Sequence, residues 1–221
     1  MAWAVDPPVP SLRRAFAGMA GVWCELAAVQ SALPGCAGVT LSFLGAWLLI
    51  EWMRMWERGG RAHDPFAELR RCGRFDARSK LAEPAAFAIA GLALQPWLGL
   101  GAIRLFEAAA ERAAVVAPGA SPCLFEMGSV LVLAPVFEER LYRGRLLPAL
   151  RRHTGAPIAI TASAACFAVP HVAPLHVLGT LIAGIALGCV FALTRRSAPC
   201  IAMHVGFNAA ALWQQAAMRA A

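Results

Sequence analysis

The stretch from Ala134 to Pro148 reads APVFEERLYRGRLLP and places two adjacent glutamates, Glu138 and Glu139, directly after a run of apolar residues. Arg143 follows Glu139 at i+4, so the two side chains share one face of a helix. An ionisable side chain at membrane depth costs several kcal/mol unless it is paired or faces water, which makes a functional role the default interpretation. The stretch therefore indicates a polar site on an otherwise apolar helix.

The composition predicts the class of protein around this helix. Of the 221 residues, 59% are hydrophobic and only 15% are charged, and the mean hydropathy is +0.60. A soluble domain has an apolar share of roughly 45 to 50%. We therefore expect an all-α, polytopic transmembrane helix bundle in a cell membrane, and we expect no nucleic-acid partner. Nearly all of the basic residues are arginine, which hints at a bacterial inner-membrane protein.

Apolar windows long enough to cross the hydrocarbon core as helices, roughly 17 to 25 residues, recur along the chain. We predict about seven membrane helices, with six to eight as the range. A weaker window, Ala15–Leu33, contains Glu25 and Gln30 and is either a span or an interfacial helix. The clear windows are Cys36–Met53, Pro84–Ile103, Pro122 onward into the glutamate motif, Pro157–His171, His176–Thr194 and Pro199 to about Met218.

The distribution of arginine predicts how the chain is organised. Residues 1–121 form N-terminal membrane helices with a basic loop near 54–83, which the positive-inside rule places in the cytoplasm. Residues 122–221 form the helices that carry the polar motifs, within a single integral membrane domain. The seven cysteines include no CxxC pair, so the sequence indicates neither a disulfide framework nor a zinc knot.

Three pairs of residues share the i, i+4 spacing on three successive apolar segments: Glu139 with Arg143, Phe167 with His171, and His204 with Asn208. Glu138 lies about as far before the turn near Thr154 as His171 lies after it. Antiparallel helices would therefore bring these two side chains to one level, and His204 to a similar depth.

Each of these residues alone has a structural interpretation. A Glu–Arg pair can be a packing element, a histidine is often a hydrogen-bonded core residue, and Asn208 alone would most simply join two helices through its amide. The joint occurrence on three helices favours a site buried among the C-terminal helices.

In this order, Glu138-Glu139-x-x-x-Arg143, Phe167-x-x-x-His171 and His204-x-x-x-Asn208 resemble the three signature motifs of the CPBP family, the CAAX proteases and bacteriocin-processing enzymes, also called the Abi family. The resemblance covers roughly Pro122 to Met218. It implies an intramembrane endopeptidase of glutamic type without a cofactor, similar to CAAX prenyl endopeptidases, acting on a membrane-anchored or lipidated protein or peptide.

The residue types suit peptide hydrolysis. A carboxylate partly withdrawn from water holds a proton more readily and is a better general base near neutral pH. Carried over from the motifs, Glu138 is the expected base and His171 helps to hold the water. His204 and Asn208 are expected to donate hydrogen bonds to the oxyanion.

The remaining motif residues are expected to support these four. The spacing of Glu139 and Arg143 favours a charge-assisted pair that fixes the helix face. Phe167, which shares a helix face with His171, is the third supporting residue.

Alternatives to the glutamic mechanism remain open. A zinc-dependent protease would use Glu138, His171 and His204 as ligands, but adjacent glutamates point about 100° apart on a helix and no HExxH motif is present. A proton-coupled carrier would also use intramembrane Glu and His residues, although we see no inverted repeats. A non-catalytic scaffold would use the polar residues only to join helices.

Overall fold

The computed structural model describes residues 9–33, 36–57, 82–95, 124–171 and 174–220. Within these ranges the chain folds into seven helices and has no strand, which confirms the all-α fold. The helices are α1 Leu12–Ala32, α2 Cys36–Glu57, α3 over residues 82–95, α4 over residues 124–151, α5 Ala156–Ala168, α6 Pro174–Thr194 and α7 Ser197–Ala220.

The predicted number of membrane helices is not confirmed. Among the described residues, one helix is long and apolar enough to cross a membrane, over Val177–Thr194 with a mean hydropathy of 2.3. The stretch Ala156–His171 is apolar but shorter. The count of about seven spans and the division at residue 121 stay predictions. Most of the predicted basic loop near 54–83 lies outside the described residues.

The first two helices form an antiparallel hairpin. Ser11 caps the start of α1 by accepting a hydrogen bond from the Arg14 backbone N–H. Farther along, Gln30 Nε2 donates to Ser42 Oγ at 3.1 Å. Gly45 lies against the Glu25 side chain, where a Cβ atom would collide with the carboxylate. A larger residue at position 45 would therefore require the Glu25 carboxylate to move.

Helix α4 contains two π-helical turns, Ser129–Leu133 and Tyr142–Leu146. Each is followed by one residue and then a proline, Pro135 in the first case and Pro148 in the second. A proline inside an α-helix lacks the N–H and clashes with the preceding turn, and a π-turn is one way of absorbing that conflict without ending the helix. Glu138 and Glu139 lie between these two turns, and Arg143 lies within the second.

Buried ion pairs join α4 to α2. Arg145 donates to both carboxylate oxygens of Glu57 at 2.8 Å, with both side chains almost fully buried. Arg140, also buried, pairs with Glu51. Because a buried charge without a partner is strongly destabilising, these pairs fix α4 against the N-terminal hairpin.

Helices α5 and α6 pack closely through glycine. A Cβ atom on Gly188 would lie 2.9 Å from Ile160 Cγ2 on α5. On Gly184, one turn earlier, it would lie 3.1 Å from both Ala164 Cβ and the Phe167 ring. Two small residues four positions apart on one helix are a common device for close helix contact in membranes. This contact brings the Gly184 backbone next to the polar motifs.

The last helix crosses α3 at two further glycines. A Cβ atom on Gly91 would collide with the Met203 carbonyl, and one on Gly206 would collide with the Ala88 carbonyl. Helix α7 therefore lies directly against α3 on one side while it faces α4 on the other. Arg196 at its start also pairs with Glu83 of α3 at 2.7 Å, in a half-exposed position.

Candidate active site

Glu139 lies at the centre of the polar cluster. One of its oxygens, Oε1, is 2.9 Å from Arg143 Nη1 and 2.9 Å from His204 Nδ1. The side chain is completely buried, and its other oxygen, Oε2, has no hydrogen-bond partner among the described residues. The ion pair expected from the i+4 spacing is therefore present, and the same oxygen also bonds a histidine from α7.

Arg143 is buried at 1% exposure, and its guanidinium is surrounded by a carboxylate, a carbonyl and two aromatic rings, one of them that of Tyr142 at 6.0 Å. Besides the bond to Glu139, Nη2 donates to the Gly184 carbonyl of α6 at 2.9 Å. The guanidinium carbon lies 4.7 Å from the centre of the Phe167 ring, which is a cation–π distance. A carboxylate, a carbonyl and an aromatic face together replace the water that a buried guanidinium loses.

His204 is held between the two glutamates. Glu139 forms an ion pair with Arg143, and because a carboxylate oxygen can only accept, His204 Nδ1–H donates in the 2.9 Å bond to Glu139. The other ring nitrogen, Nε2, lies 3.6 Å from Glu138 Oε2. Glu139 therefore fixes the tautomer and the direction of the ring, as the carboxylate of a catalytic triad does.

Glu138 differs from its neighbour in exposure and in hydrogen bonding. Its side chain keeps 10% exposure, whereas that of Glu139 has none. Among the described residues it accepts no hydrogen bond. The group that faces it is the Nε2 atom of the His204 ring. Two atoms 3.6 Å apart can both bond one water molecule that lies beside them. The pair could therefore hold a water for chemistry.

The ring of Phe167 joins the two histidines. Its centre lies 5.2 Å from that of His171 and 5.6 Å, edge to face, from that of His204. Tyr142 of α4 packs edge-on against the same ring at 5.3 Å. His171 Nδ1 also lies 3.1 Å from the Phe167 carbonyl, which can only accept, so this nitrogen carries the proton. The motif on α5 thus meets those on α4 and α7 through one aromatic side chain.

Asn208 contacts a different part of α4. Its amide nitrogen donates to the Val130 carbonyl at 2.8 Å, in the first π-turn. His204 and Asn208 share a face of α7, as their spacing predicts, and this face lies against α4. The amide has a second N–H that this bond does not use.

Three residues outside the motifs take part in the cluster. Tyr142 packs on Phe167, and its hydroxyl accepts a hydrogen bond from Trp23 Nε1 of α1 at 2.9 Å. Gly184 supplies the carbonyl for Arg143. The small-residue spacing of Gly184 and Gly188 could have indicated a helix contact from the sequence. Nothing in the sequence indicates that Trp23 reaches α4.

No group of three His, Cys, Asp or Glu side chains in the described part of the chain is arranged to hold a metal ion. Glu138, His171 and His204, the ligands that the zinc-dependent alternative would use, are not among such groups.

In a comparison with protein families, residues 120–210 match the family model described as "Rce1-like: Type II CAAX prenyl endopeptidase Rce1-like". This match confirms the resemblance to the CPBP family, and the Rce1-like family is membrane-embedded. The matched segment holds all three polar motifs. No curated protein and no solved structure matches the chain. The match supports a CAAX-protease-like intramembrane endopeptidase in general.

Proposed function

We propose that the chain is a multi-pass intramembrane endopeptidase that hydrolyses a peptide bond of a membrane-anchored or lipidated protein or peptide through a water activated by Glu138. The observation that carries the proposal is the pairing of Glu138 Oε2 with His204 Nε2 at 3.6 Å, while the far side of the histidine is held by Glu139. The Rce1-like match over residues 120–210 supports the reaction class. A bacterial inner membrane is the proposed location.

In this mechanism Glu138 takes a proton from the water, and the hydroxide attacks the carbonyl carbon of the substrate. Glu138 is suited to this step because its side chain, although buried, keeps 10% exposure, and because no described residue other than His204 pairs with it. His171 helps to hold the water, since its Nδ1 is bonded to the Phe167 carbonyl and its Nε2 is the nitrogen that accepts in the neutral ring. The proton on Glu138 then passes to the leaving amine.

The oxyanion formed in the attack is proposed to bond to His204 and Asn208. A protonated His204 can donate through Nε2 while Nδ1 stays on Glu139, and Asn208 can donate its second N–H. Arg143 and Phe167 support the site by holding Glu139 and both histidine rings.

The test uses purified full-length protein in lipid nanodiscs with two quenched fluorescent peptides, one a prenylated CAAX peptide and the other its unprenylated form. We expect wild type to cleave the prenylated peptide and Glu138→Gln to lose cleavage by at least about 1000-fold while its thermal unfolding is unchanged. Turnover by Glu138→Gln at the wild-type rate would rule out the mechanism. Equal cleavage of both peptides would show that the lipid is not recognised.

A carrier or a scaffold predicts a different result in the same assay. Neither should cleave either peptide, and in a scaffold the replacement of Glu139 and Arg143 by apolar residues should leave function unchanged. Sensitivity to a chelator, reversed by added zinc, would identify the metal-dependent version of the protease.

A further inference from the structure

The first π-turn of α4 contains a backbone carbonyl that the helix itself cannot pair. The Ala134 N–H, which an α-helix would direct to the Val130 carbonyl, bonds the Ser129 carbonyl instead. In a π-helix the Val130 carbonyl would accept from the N–H of the residue five positions later. That residue is Pro135, which has no N–H. The Val130 carbonyl is therefore left without a backbone donor in its own helix.

Asn208 of α7 supplies the missing donor. Its amide nitrogen lies 2.8 Å from the Val130 oxygen, and Val130 is half-buried. An unpaired carbonyl in a buried or lipid-facing position is costly, so the bond is strongly favoured where the carbonyl has no other partner. Asn208 thus bonds the carbonyl that Pro135, five positions later in α4, leaves without a backbone donor.

This bond also determines where His204 lies. His204 precedes Asn208 by one turn of α7 and bonds Glu139, which follows Pro135 by one turn of α4. The two helices are therefore tied at two points, Val130 with Asn208 and Glu139 with His204. A shift of α7 along α4 at the first point would move His204 relative to Glu138 at the second.

We infer that Pro135 is a positioning residue: by withholding a backbone donor it reserves the Val130 carbonyl for Asn208 and sets the register of α7, and with it His204, against α4. The inference rests on the proposed function for its consequence in catalysis. Its structural part, the coupling of Pro135 to Asn208, can be tested without any substrate.

Helix α4 provides a matched control. Pro148 follows the second π-turn with the same spacing as Pro135 follows the first, but Asn208 bonds only to the first turn within the described structure. A Pro148→Ala change therefore removes the same ring from the same helix without touching the bond to Asn208.

The first experiment is a double-mutant cycle on thermal unfolding of the full chain in nanodiscs. We expect Asn208→Ala to lower Tm by about 5 °C in the wild-type background, because the Val130 carbonyl loses its donor. In the Pro135→Ala background the new N–H pairs this carbonyl, and the loss should fall to less than half. In the Pro148→Ala background it should stay at the wild-type value.

Asn208→Asp serves as a second variant, because it keeps the size of the side chain and replaces the donor by an acceptor. The loss of Tm caused by Asn208→Asp should depend on Pro135 in the same way. A cavity left by alanine would then not account for the result. Equal losses of Tm in all three backgrounds, for both substitutions, would overturn the inference.

The second experiment measures catalysis by Pro135→Ala with the quenched prenylated peptide. Alanine is favoured over proline inside a helix, so Tm should be unchanged or higher. If the register of α7 depends on Pro135, kcat should nevertheless fall about tenfold or more with KM unchanged, because small misplacements of catalytic groups are costly. A Pro135→Ala variant with wild-type kcat would refute the catalytic part, and absence of cleavage in wild type would instead contradict the proposed function.

Discussion

The two adjacent glutamates should respond in opposite ways to the same substitution. Glutamine keeps the size of the side chain and removes its charge. At Glu139 this takes the carboxylate away from Arg143 and His204, both of which bond its Oε1 at 2.9 Å inside the protein. At Glu138 it changes a side chain whose one charged or ionisable partner among the described residues is His204, at 3.6 Å. Glu139→Gln should therefore mainly lower stability, and Glu138→Gln should mainly abolish turnover.

The size of the first effect follows from the burial of Arg143. Its guanidinium is 1% exposed and would keep only the Gly184 carbonyl and the rings of Phe167 and Tyr142 as partners. Removing one member of a buried ion pair typically costs about 3 to 5 kcal/mol. For a chain of this length, that corresponds to a decrease in Tm of about 10 °C. Cleavage should also fall, because His204 loses the group that fixes its tautomer.

The assay is thermal unfolding in nanodiscs combined with cleavage of the quenched peptide by each variant. A double variant, Glu139→Leu with Arg143→Met, is the matched control, because it leaves neither charge unpaired and should recover part of the stability; the rest stays lost because His204 Nδ1 and the Gly184 carbonyl lose their partners. The reasoning would be refuted if Glu139→Gln melted with the wild type, or if Glu138→Gln were the less stable of the two.

Three further predictions concern packing, ion pairs and metal dependence. Gly184→Ala should lower Tm by several degrees and reduce cleavage, because its Cβ would lie 3.1 Å from the Phe167 ring, whereas Gly179→Ala, with nothing within 4 Å, should behave as wild type in both assays. Arg145→Met should cost about 3 to 5 kcal/mol in the free energy of unfolding, since its glutamate partner stays buried. Arg196→Met, at a half-exposed pair, should cost less than about 1 kcal/mol, and equal losses would contradict the role assigned to burial. Cleavage should be unchanged after dialysis against a strong chelator, and zinc-dependent recovery of lost activity would favour the metal mechanism.

The sequence was sufficient for the parts of the site that depend on spacing within one helix. The i, i+4 rule predicts that Glu139 meets Arg143, and the structure contains this ion pair. The equal distances of Glu138 and His171 from the turn near Thr154 also fit helices α4 and α5, which are joined there by a short connection.

Contacts between distant segments could not be predicted in the same way. The bond from His204 to Glu139 depends on how α7 rotates about its axis, and the bond from Trp23 to Tyr142 joins residues 119 positions apart. Neither contact has a spacing that marks it in the sequence. The π-turns were also missed, because Pro135 and Pro148 indicate a disturbed helix without showing whether it bends, ends or widens.

The ion pairs between α2 and α4 bear on the order in which the protein is made. Arg140 and Arg145 lie within the segment that matches the family model, but their partners Glu51 and Glu57 lie outside it, in a helix synthesised earlier. During synthesis the two carboxylates are thus already available when the arginines of α4 emerge. A fragment that begins at residue 120 would lack Glu51 and Glu57, so both ion pairs would be lost. We therefore expect the motif helices to need the N-terminal hairpin in order to fold.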